Sequence, residues 1–487
     1  MEQNFLNREK SFVGDKSNTS VLIISVLLFT ILSAVGIGFF GLKAAFAILV
    51  LVVGLPLVYA IITYPKLGII VILISSFFLL WVLKIGINFP LGTLMDGIFA
   101  LMLFGFFLKQ KYRNDWTVFK SPISVVVLIW ISYNFLEVIN PSADSRLAWV
   151  YTVRTVAIVM LWYFIFLYYI QTLQFIKVIF KLWIGLSFFV AAYAFKQEYF
   201  GFFPFEKVWL ASEPTYTALY YISGHWRIFS IFSDPVTFAY NMIISSILCF
   251  SLLTSPMKGW KKAVLVCLGS FFLLTMLYSG TRGAYVLLPV ALGMYCILKF
   301  NKKVLFFGLI LAGIIVVIIR TPSTNPTIQR FQSAFYPSND ASFNVRKNNQ
   351  KMIQPFILSH PLGGGLGATG MWGERFSPHS FLANFPPDSG YIRVAVELGW
   401  LGLLIFCTLM FVVLYTGINN YYKIKDPTLK SYCMAMVLIA FTLNIANFPQ
   451  EALVQYPTNV YFSLVLALIG VTRLLDQKKE HPDQPVL

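Results

Sequence analysis

Four arginines stand where a charge needs a reason. Arg227 follows Gly224-His225-Trp226 and precedes Asp234-Pro235. Arg282 is the only charge in Tyr278-Ser279-Gly280-Thr281-Arg282-Gly283-Ala284. Arg346 precedes a glycine-rich turn, and Arg393 lies four residues before Glu397. A guanidinium is a permanent cation with a planar fork of donors that grips carboxylates and phosphates in pairs of hydrogen bonds. Two further residues could hold or move a proton: His379 in Pro378-His379-Ser380, and Asp388 in Pro387-Asp388-Ser389. Together the six could bind an anionic leaving group and manage the proton of an attacking hydroxyl. Plainer readings stand beside these. Arg227 could be a snorkelling interfacial cation. Arg282 could bind helix-terminal carbonyls. Arg393 could simply pair with Glu397 on one helix face, and Asp234-Pro235 reads as a helix cap followed by proline.

Other chemistries lack their residues. There is no His-Glu-x-x-His and no Cys-x-x-Cys, so a zinc site is not expected. No Asp-x-Asp occurs, which removes the usual carboxylate pair for a metal–diphosphate complex. The glycines of His360-Pro361-Leu362-Gly363-Gly364-Gly365-Leu366-Gly367 are not followed by Gly-Lys-[Ser/Thr], so they read as a turn rather than a phosphate loop. No cofactor is implied.

The elements that must carry these residues are membrane helices. The 487 residues are 58% hydrophobic and only 12% charged, with a mean hydropathy of +0.74; a soluble domain has about 25% charged residues. The net charge of +17 is therefore no argument for nucleic acid, since it is spread thinly between apolar runs. A bilayer-crossing helix needs about 20 such residues. Runs of that kind fall at 20–40, 43–63, 67–84, 92–108, 122–139, 149–170, 176–196, 235–254, 262–279, 283–299, 303–320, 391–416, 432–448 and 456–473, about fourteen spans by the length criterion. With the N-terminus in the cytoplasm, the inner segments hold 22 of the 37 Lys+Arg and 8 of the 20 Asp+Glu, a net of +14, which is the bias expected of cytoplasmic loops. The five cysteines (Cys249, Cys267, Cys296, Cys407, Cys433) all fall in predicted spans, so no disulfide framework is expected.

The predicted architecture is an all-α polytopic transmembrane bundle with both termini cytoplasmic and two long outer segments. Residues 1–196 form an N-terminal bundle of seven spans, 197–234 a first outer loop, and 235–320 the spans that include the Arg282 hairpin. Residues 321–390 form a large outer loop, and 391–487 the last spans and a cytoplasmic tail. The outer segments hold His225, His360 and His379, three of the four histidines. The first is rich in aromatic residues, which read as an interfacial belt, with stacking on a sugar as the alternative.

Residues 220–420 resemble the O-antigen ligase and O-antigen polymerase family of membrane glycosyltransferases. Arg227, Phe232, Asp234 and Pro235 match one family motif, with Ser230 and Val236 replacing its Gly and Asn. Ser279-Gly280-Thr281-Arg282-Gly283 resembles the family's Ser-x-Ser-Arg-Gly turn. His360-Pro361-Leu362-x-Gly364-x-x-Gly367 is similar to its His-Pro-Leu turn, and Arg346 to an Arg that precedes it. The last motif departs: counting back from Gly399 and Gly402 places Asp388-Ser389 where the ligases carry His-[Asn/Ser]. Either His379 supplies that histidine from a longer loop, with Asp388 as a cap or second carboxylate, or Asp388 takes its role.

The resemblance implies a GT-C-like fold and a glycan donor on undecaprenyl diphosphate at the outer face of the bacterial cytoplasmic membrane. An acceptor hydroxyl, on another glycan, a lipid core or a protein, would attack the anomeric carbon with inversion, and the lipid diphosphate would leave. Arg227, Arg282, Arg346 and Arg393 would bind diphosphate or glycan, and His379 or Asp388 would act on the acceptor hydroxyl. Partners would be membrane lipids and other polysaccharide-assembly proteins, with no nucleic acid. A lipid-linked oligosaccharide flippase and a scaffold subunit are the competing readings; Asp96, Glu137 and Arg154 lie toward the outer ends of their spans rather than at the midplane a transporter favours.

Overall fold

The computed structural model describes residues 41–86, 91–113, 116, 119–222, 224–324, 326–335 and 341–480, with scattered positions between 27 and 38. Its contacts divide the chain into Met1–Leu67 and Gly68–Leu487. The elements in chain order are α1 Leu42–Thr63, α2 Pro65–Lys84, α3 Leu91–Arg113, α4 Pro122–Leu136, α5 Arg146–Val156, α6 Trp162–Tyr169 and α7 Leu173–Phe200. Then come α8 Pro204–Ala211, α9 Pro214–Tyr220, the short strands β1 Tyr221–Ile222 and β2 His225–Trp226, α10 Pro235–Leu252, α11 Gly259–Tyr278, α12 Arg282–Leu298 and α13 Lys302–Arg320. Last are α14 Pro326–Ser333, α15 Ala341–Ser359, α16 Gly370–Phe376, α17 Gly390–Lys423, α18 Pro427–Ala446 and α19 Thr458–Glu480.

Among the described residues, ten helical segments are long and apolar enough to cross a bilayer, and three shorter apolar helices accompany them. Helices are the form that satisfies every backbone polar group inside lipid. The predicted span 20–40 lies mostly outside the described residues; each of the other predicted spans falls on helix. Span 149–170 is two α-helices joined by a 3-10 turn at Ile158–Leu161.

The inner layer of the larger unit is α10, α18 and α19, most of whose residues are buried. Its helices are tied by small hydroxyls rather than by charges. Ser187 and Ser245 share a 2.8 Å hydrogen bond, Trp183 donates to Ser245, and Ser431 donates to the Ser251 carbonyl. Lipid gives helices no reason to associate through apolar surface alone, so close packing and such bonds hold a bundle. Helix starts follow the expected chemistry: Asp234 caps α10 and Asp426 caps α18, each accepting two backbone N–H groups with proline next.

Over their described residues, both segments predicted to lie outside are folded rather than open loops. In the first, Leu210, Tyr220 and Phe229 make a small core with Phe202, Trp209, Tyr216 and Trp226 packed around it. Part of the aromatic run is thus internal packing, while Tyr199, Phe200, Phe203 and Tyr221 stay exposed. Beneath it the Lys84 ammonium lies 4.0 Å from the Trp209 ring and 3.8 Å from the Phe229 ring, and donates to the Phe232 carbonyl at 2.5 Å. Lys84 thereby anchors the end of α2 to the strand of chain that leads into Asp234. In the second segment, helix α15 runs through Pro355 and continues to Ser359. Proline costs it one backbone donor, and the following turn still closes, with His360 N–H bonded to the Phe356 carbonyl. The packing of Ile353, Ala368, Leu382, Phe385 and Val396 joins α15 and the turns after it to the start of α17.

The Gly-rich turn is explained by a break in α17. Gly399 has φ 66°, so the helix opens there and the carbonyls before it lose their intrahelical partners. The turn supplies replacements: Gly364 N–H bonds to the Val396 carbonyl (2.8 Å) and Gly365 N–H to the Glu397 carbonyl (2.9 Å). Trp400 N–H bonds back to the Pro361 carbonyl (2.8 Å), and the Tyr133 hydroxyl donates to the Leu398 carbonyl (2.7 Å). A Cβ on Gly363 would lie 2.5 Å from the Glu397 carbonyl, so only glycine permits this approach.

Candidate active site

The structure gathers one end of α10, α11, α12 and α17 with the crossover 447–457 that joins α18 to α19. The turn between α11 and α12 lies at its centre. Gly280 adopts φ 59° there, and the two carbonyls that follow α11 are bound by two arginines from elsewhere. Arg227 donates to the Ser279 carbonyl (3.0 Å) and the Thr281 hydroxyl (3.2 Å), and Arg330 on α14 donates to the Gly280 carbonyl (2.7 Å). Cations at a helix C-terminus are favoured by the helix dipole. Arg282 sits on the other side of the turn, as the first residue of α12. A cation there works against the dipole of its own helix, and that same helix end attracts anions.

Three of these arginines converge. Arg227, Arg282 and Arg330 all lie within electrostatic reach of the Tyr285 hydroxyl. Burial, reinforced by Arg330, pushes the Arg227 guanidinium down to about 10, so it remains a cation at neutral pH. Arg346, on α15, is within reach of Tyr240. Tyr240 is also the residue α12 approaches, since a Cβ on Gly283 would lie 3.3 Å from its hydroxyl.

Tyr240 marks the edge of a polar cavity of about 200 Å³ beside this cluster. Its wall includes Asp234, Thr237, Asp388, Gln450, Glu451 and Gln455. Asp234 is committed to structure. Its Oδ1 accepts the N–H groups of Val236 and Thr237, and its Oδ2 accepts the hydroxyls of Ser233 and Thr237. Gln455 Oε1 lies 2.6 and 2.7 Å from the same two hydroxyl oxygens and competes with Asp234 for the single proton of each. Asp388 accepts a 3.3 Å bond from Asn349; the N-cap position of α17 is held by Ser389, not by Asp388.

Ser230 accounts for the family's glycine in the Arg227 motif. It is the residue with φ 53°, a left-handed conformation that favours glycine. Serine is held there by two bonds, its N–H to Gln197 Oε1 (2.8 Å) and its hydroxyl to the Val190 carbonyl (2.7 Å).

Residues 265–407 match the family model described as O-antigen ligase. This stretch is similar to the O-antigen ligase family. No curated protein matches the chain. Of the predicted site, the matched stretch contains Arg282, Arg346, His379, Asp388 and Arg393, while Arg227 lies before it. The crossover with Gln450, Glu451 and Gln455 lies after it.

The predicted residues part company in space. Arg227, Arg282 and Arg346 surround the α11–α12 turn and the cavity edge. Asp388 lines the cavity, whereas His379 sits exposed on the turn after α16 and is not part of the cavity wall. Arg393 pairs with Glu397 at 3.2 Å, as its spacing allows, and also with Glu451 at 2.5 Å. His360 stacks on Phe356 at 4.0 Å and bonds within its own turn, and His225 pairs with Glu198. Sequence reasoning missed Arg330, Lys84 and Glu451. For Lys84, a charge ending an apolar run at its outer side was the available signal. Arg330 and Glu451 carry no motif.

Proposed function

We propose that this protein is a membrane glycosyltransferase, a glycan polymerase or O-antigen ligase. It uses a glycan carried on undecaprenyl diphosphate at the outer face of the bacterial cytoplasmic membrane. The observation that carries this reading is the convergence of Arg227, Arg282 and Arg330 on one helix turn beside a polar cavity lined by Asp388, mostly within the stretch that matches the O-antigen ligase family model.

The chemistry follows from that layout. The donor's diphosphate binds at the turn, where the amino end of α12 and the arginines supply positive potential. The acceptor hydroxyl enters the cavity, hydrogen-bonded to Asp388. Its oxygen attacks the anomeric carbon from the face opposite the diphosphate, so the configuration inverts. The bond to the diphosphate breaks and its electron pair leaves with the phosphate oxygen. Charge develops on that oxygen in the transition state, and preorganised cations in a low-dielectric site stabilise it; one such donor is worth about 100- to 1,000-fold in rate. The basic segments at the opposite end of the helices set the orientation that places this site outside. Asp388 supports the acceptor role better than His379, because it borders the cavity.

The test is transfer by the protein reconstituted in liposomes, given undecaprenyl-diphosphate-linked glycan extracted from the cells that encode it. Wild type and His379→Ala lengthen or transfer the glycan, and Asp388→Ala does not. Loss with His379→Ala and full activity with Asp388→Ala would reverse the assignment.

A further inference from the structure

We propose that Glu451 is a catalytic carboxylate of this site and takes the proton of the acceptor hydroxyl that Asp388 orients. The inference rests on the glycosyl-transfer reading and adds the base to it. It comes from a tally of the acidic groups at the cavity and next to its wall. Asp234 spends both oxygens on the cap and hydroxyls of α10. Glu397 is 2% exposed and accepts from Thr369 and Arg393. Asp388 and Glu451 remain as the carboxylates that border the cavity with capacity to accept from a ligand.

Glu451 is held where a base must be held. The crossover that carries it is fastened on both sides. Gly390 N–H bonds to the Asn447 carbonyl (3.0 Å), Ala452 N–H bonds to Asn447 Oδ1 (3.1 Å), and Gln455 Oε1 packs against the Ser233 and Thr237 hydroxyls (2.6 and 2.7 Å). Arg393 grips one carboxylate oxygen, Oε2, from α17. The groups facing Glu451 are Arg393 and Glu397 from α17, Asp388 from the segment before it, and Asp234 across the cavity. One arginine cannot neutralise three nearby carboxylates. Burial, with the repulsion of Glu397 and Asp388, outweighs Arg393 and raises the proton affinity of Glu451 above that of an ordinary carboxylate. A base with that property is better matched to a hydroxyl.

The step balances. The hydroxyl proton passes to Glu451 as the oxygen forms its bond to the anomeric carbon. The carbon–oxygen bond to the diphosphate breaks, and the electron pair leaves with the diphosphate. The proton on Glu451 is then lost to water.

The experiment compares wild type, Glu451→Gln and Glu451→Asp in liposomes with the same extracted lipid-linked glycan, alongside binding of undecaprenyl diphosphate. Glutamine keeps an acceptor oxygen for Arg393. Glu451→Gln is expected to lower kcat by about 100-fold or more. It should leave donor KM and undecaprenyl diphosphate binding at wild-type values and abolish the acid limb of the pH–rate profile. Glu451→Asp should recover part of the rate and keep the limb. Wild-type transfer together with a wild-type rate and limb in Glu451→Gln overturns the inference and leaves the transfer reading intact. A kcat loss accompanied by lost diphosphate binding also overturns it, since Glu451 would then be structural. No transfer by wild type overturns the reading and the inference together.

Discussion

Gly363→Ala tests whether the Gly-rich turn braces the broken helix α17. The best control is Gly370→Ala. Both glycines have positive φ, 74° and 66°, so alanine pays a similar conformational cost at each, about 1–2 kcal/mol. The surroundings differ. A Cβ on Gly370 meets nothing within 4 Å, whereas one on Gly363 lies 2.5 Å from the Glu397 carbonyl carbon and oxygen and 2.6 Å from the Gly399 nitrogen. Those are backbone atoms that cannot rotate away, so the turn must lift from the helix. Lifting it breaks three bonds: Gly364 to Val396, Gly365 to Glu397, and Trp400 to Pro361. At about 1 kcal/mol each, Gly363→Ala should cost about 4–5 kcal/mol in all, against about 1–2 kcal/mol for the control. Glu397 also loses its setting, and with it the Arg393 contact that holds Glu451. The assay is thermal unfolding in detergent, paired with glycan transfer in liposomes. Gly370→Ala should lower the midpoint slightly and keep activity. Gly363→Ala should lower it by a clearly larger step and lose activity. Equal midpoints for the two variants would refute the bracing role.

Three other predictions concern single residues and orientation. Arg330→Ala should weaken undecaprenyl diphosphate binding and slow transfer by about 100-fold; unchanged binding would remove Arg330 from the site. Ser230→Gly relieves the left-handed backbone but gives up the bond to Val190, so stability should change by less than about 1 kcal/mol. Ser230→Ala keeps the strain and loses the bond, and should be the less stable of the two by thermal midpoint; the reverse order contradicts this account of the glycine in the motif. A cysteine at Gln354 should react with a membrane-impermeant maleimide from outside intact cells, and one at Lys425 only after permeabilisation. Labelling of residue 354 from the inside would invert the topology.

Hydropathy located the helices because lipid leaves few choices: a long apolar run must be helical to satisfy its own backbone. The cap at Asp234-Pro235 and the Arg393–Glu397 pair were legible for a similar reason, since partners three or four residues apart meet by helix geometry alone. The break at Gly399 was not legible, because what stabilises it arrives from a turn about 35 residues upstream. Lys84 was hidden in the same way: its rings, Trp209 and Phe229, lie far along the chain. Arg330 and Glu451 are ordinary charges by local pattern, and only the folded helix ends bring them to the turn and the cavity. The choice between His379 and Asp388 turned on spacing in the sequence; in the structure it turns on which side chain borders the cavity.

The central claim is that arginines at the α11–α12 turn take the charge of a departing lipid diphosphate. The most direct measurement is the rate of glycan transfer in liposomes by wild type, Arg227→Ala and Arg282→Ala, each checked for intact assembly. Each variant should lose about 100-fold or more in rate, and Arg282→Lys should recover only part of the Arg282 loss, since an ammonium lacks the planar fork. Transfer at the wild-type rate by both alanine variants would contradict the claim.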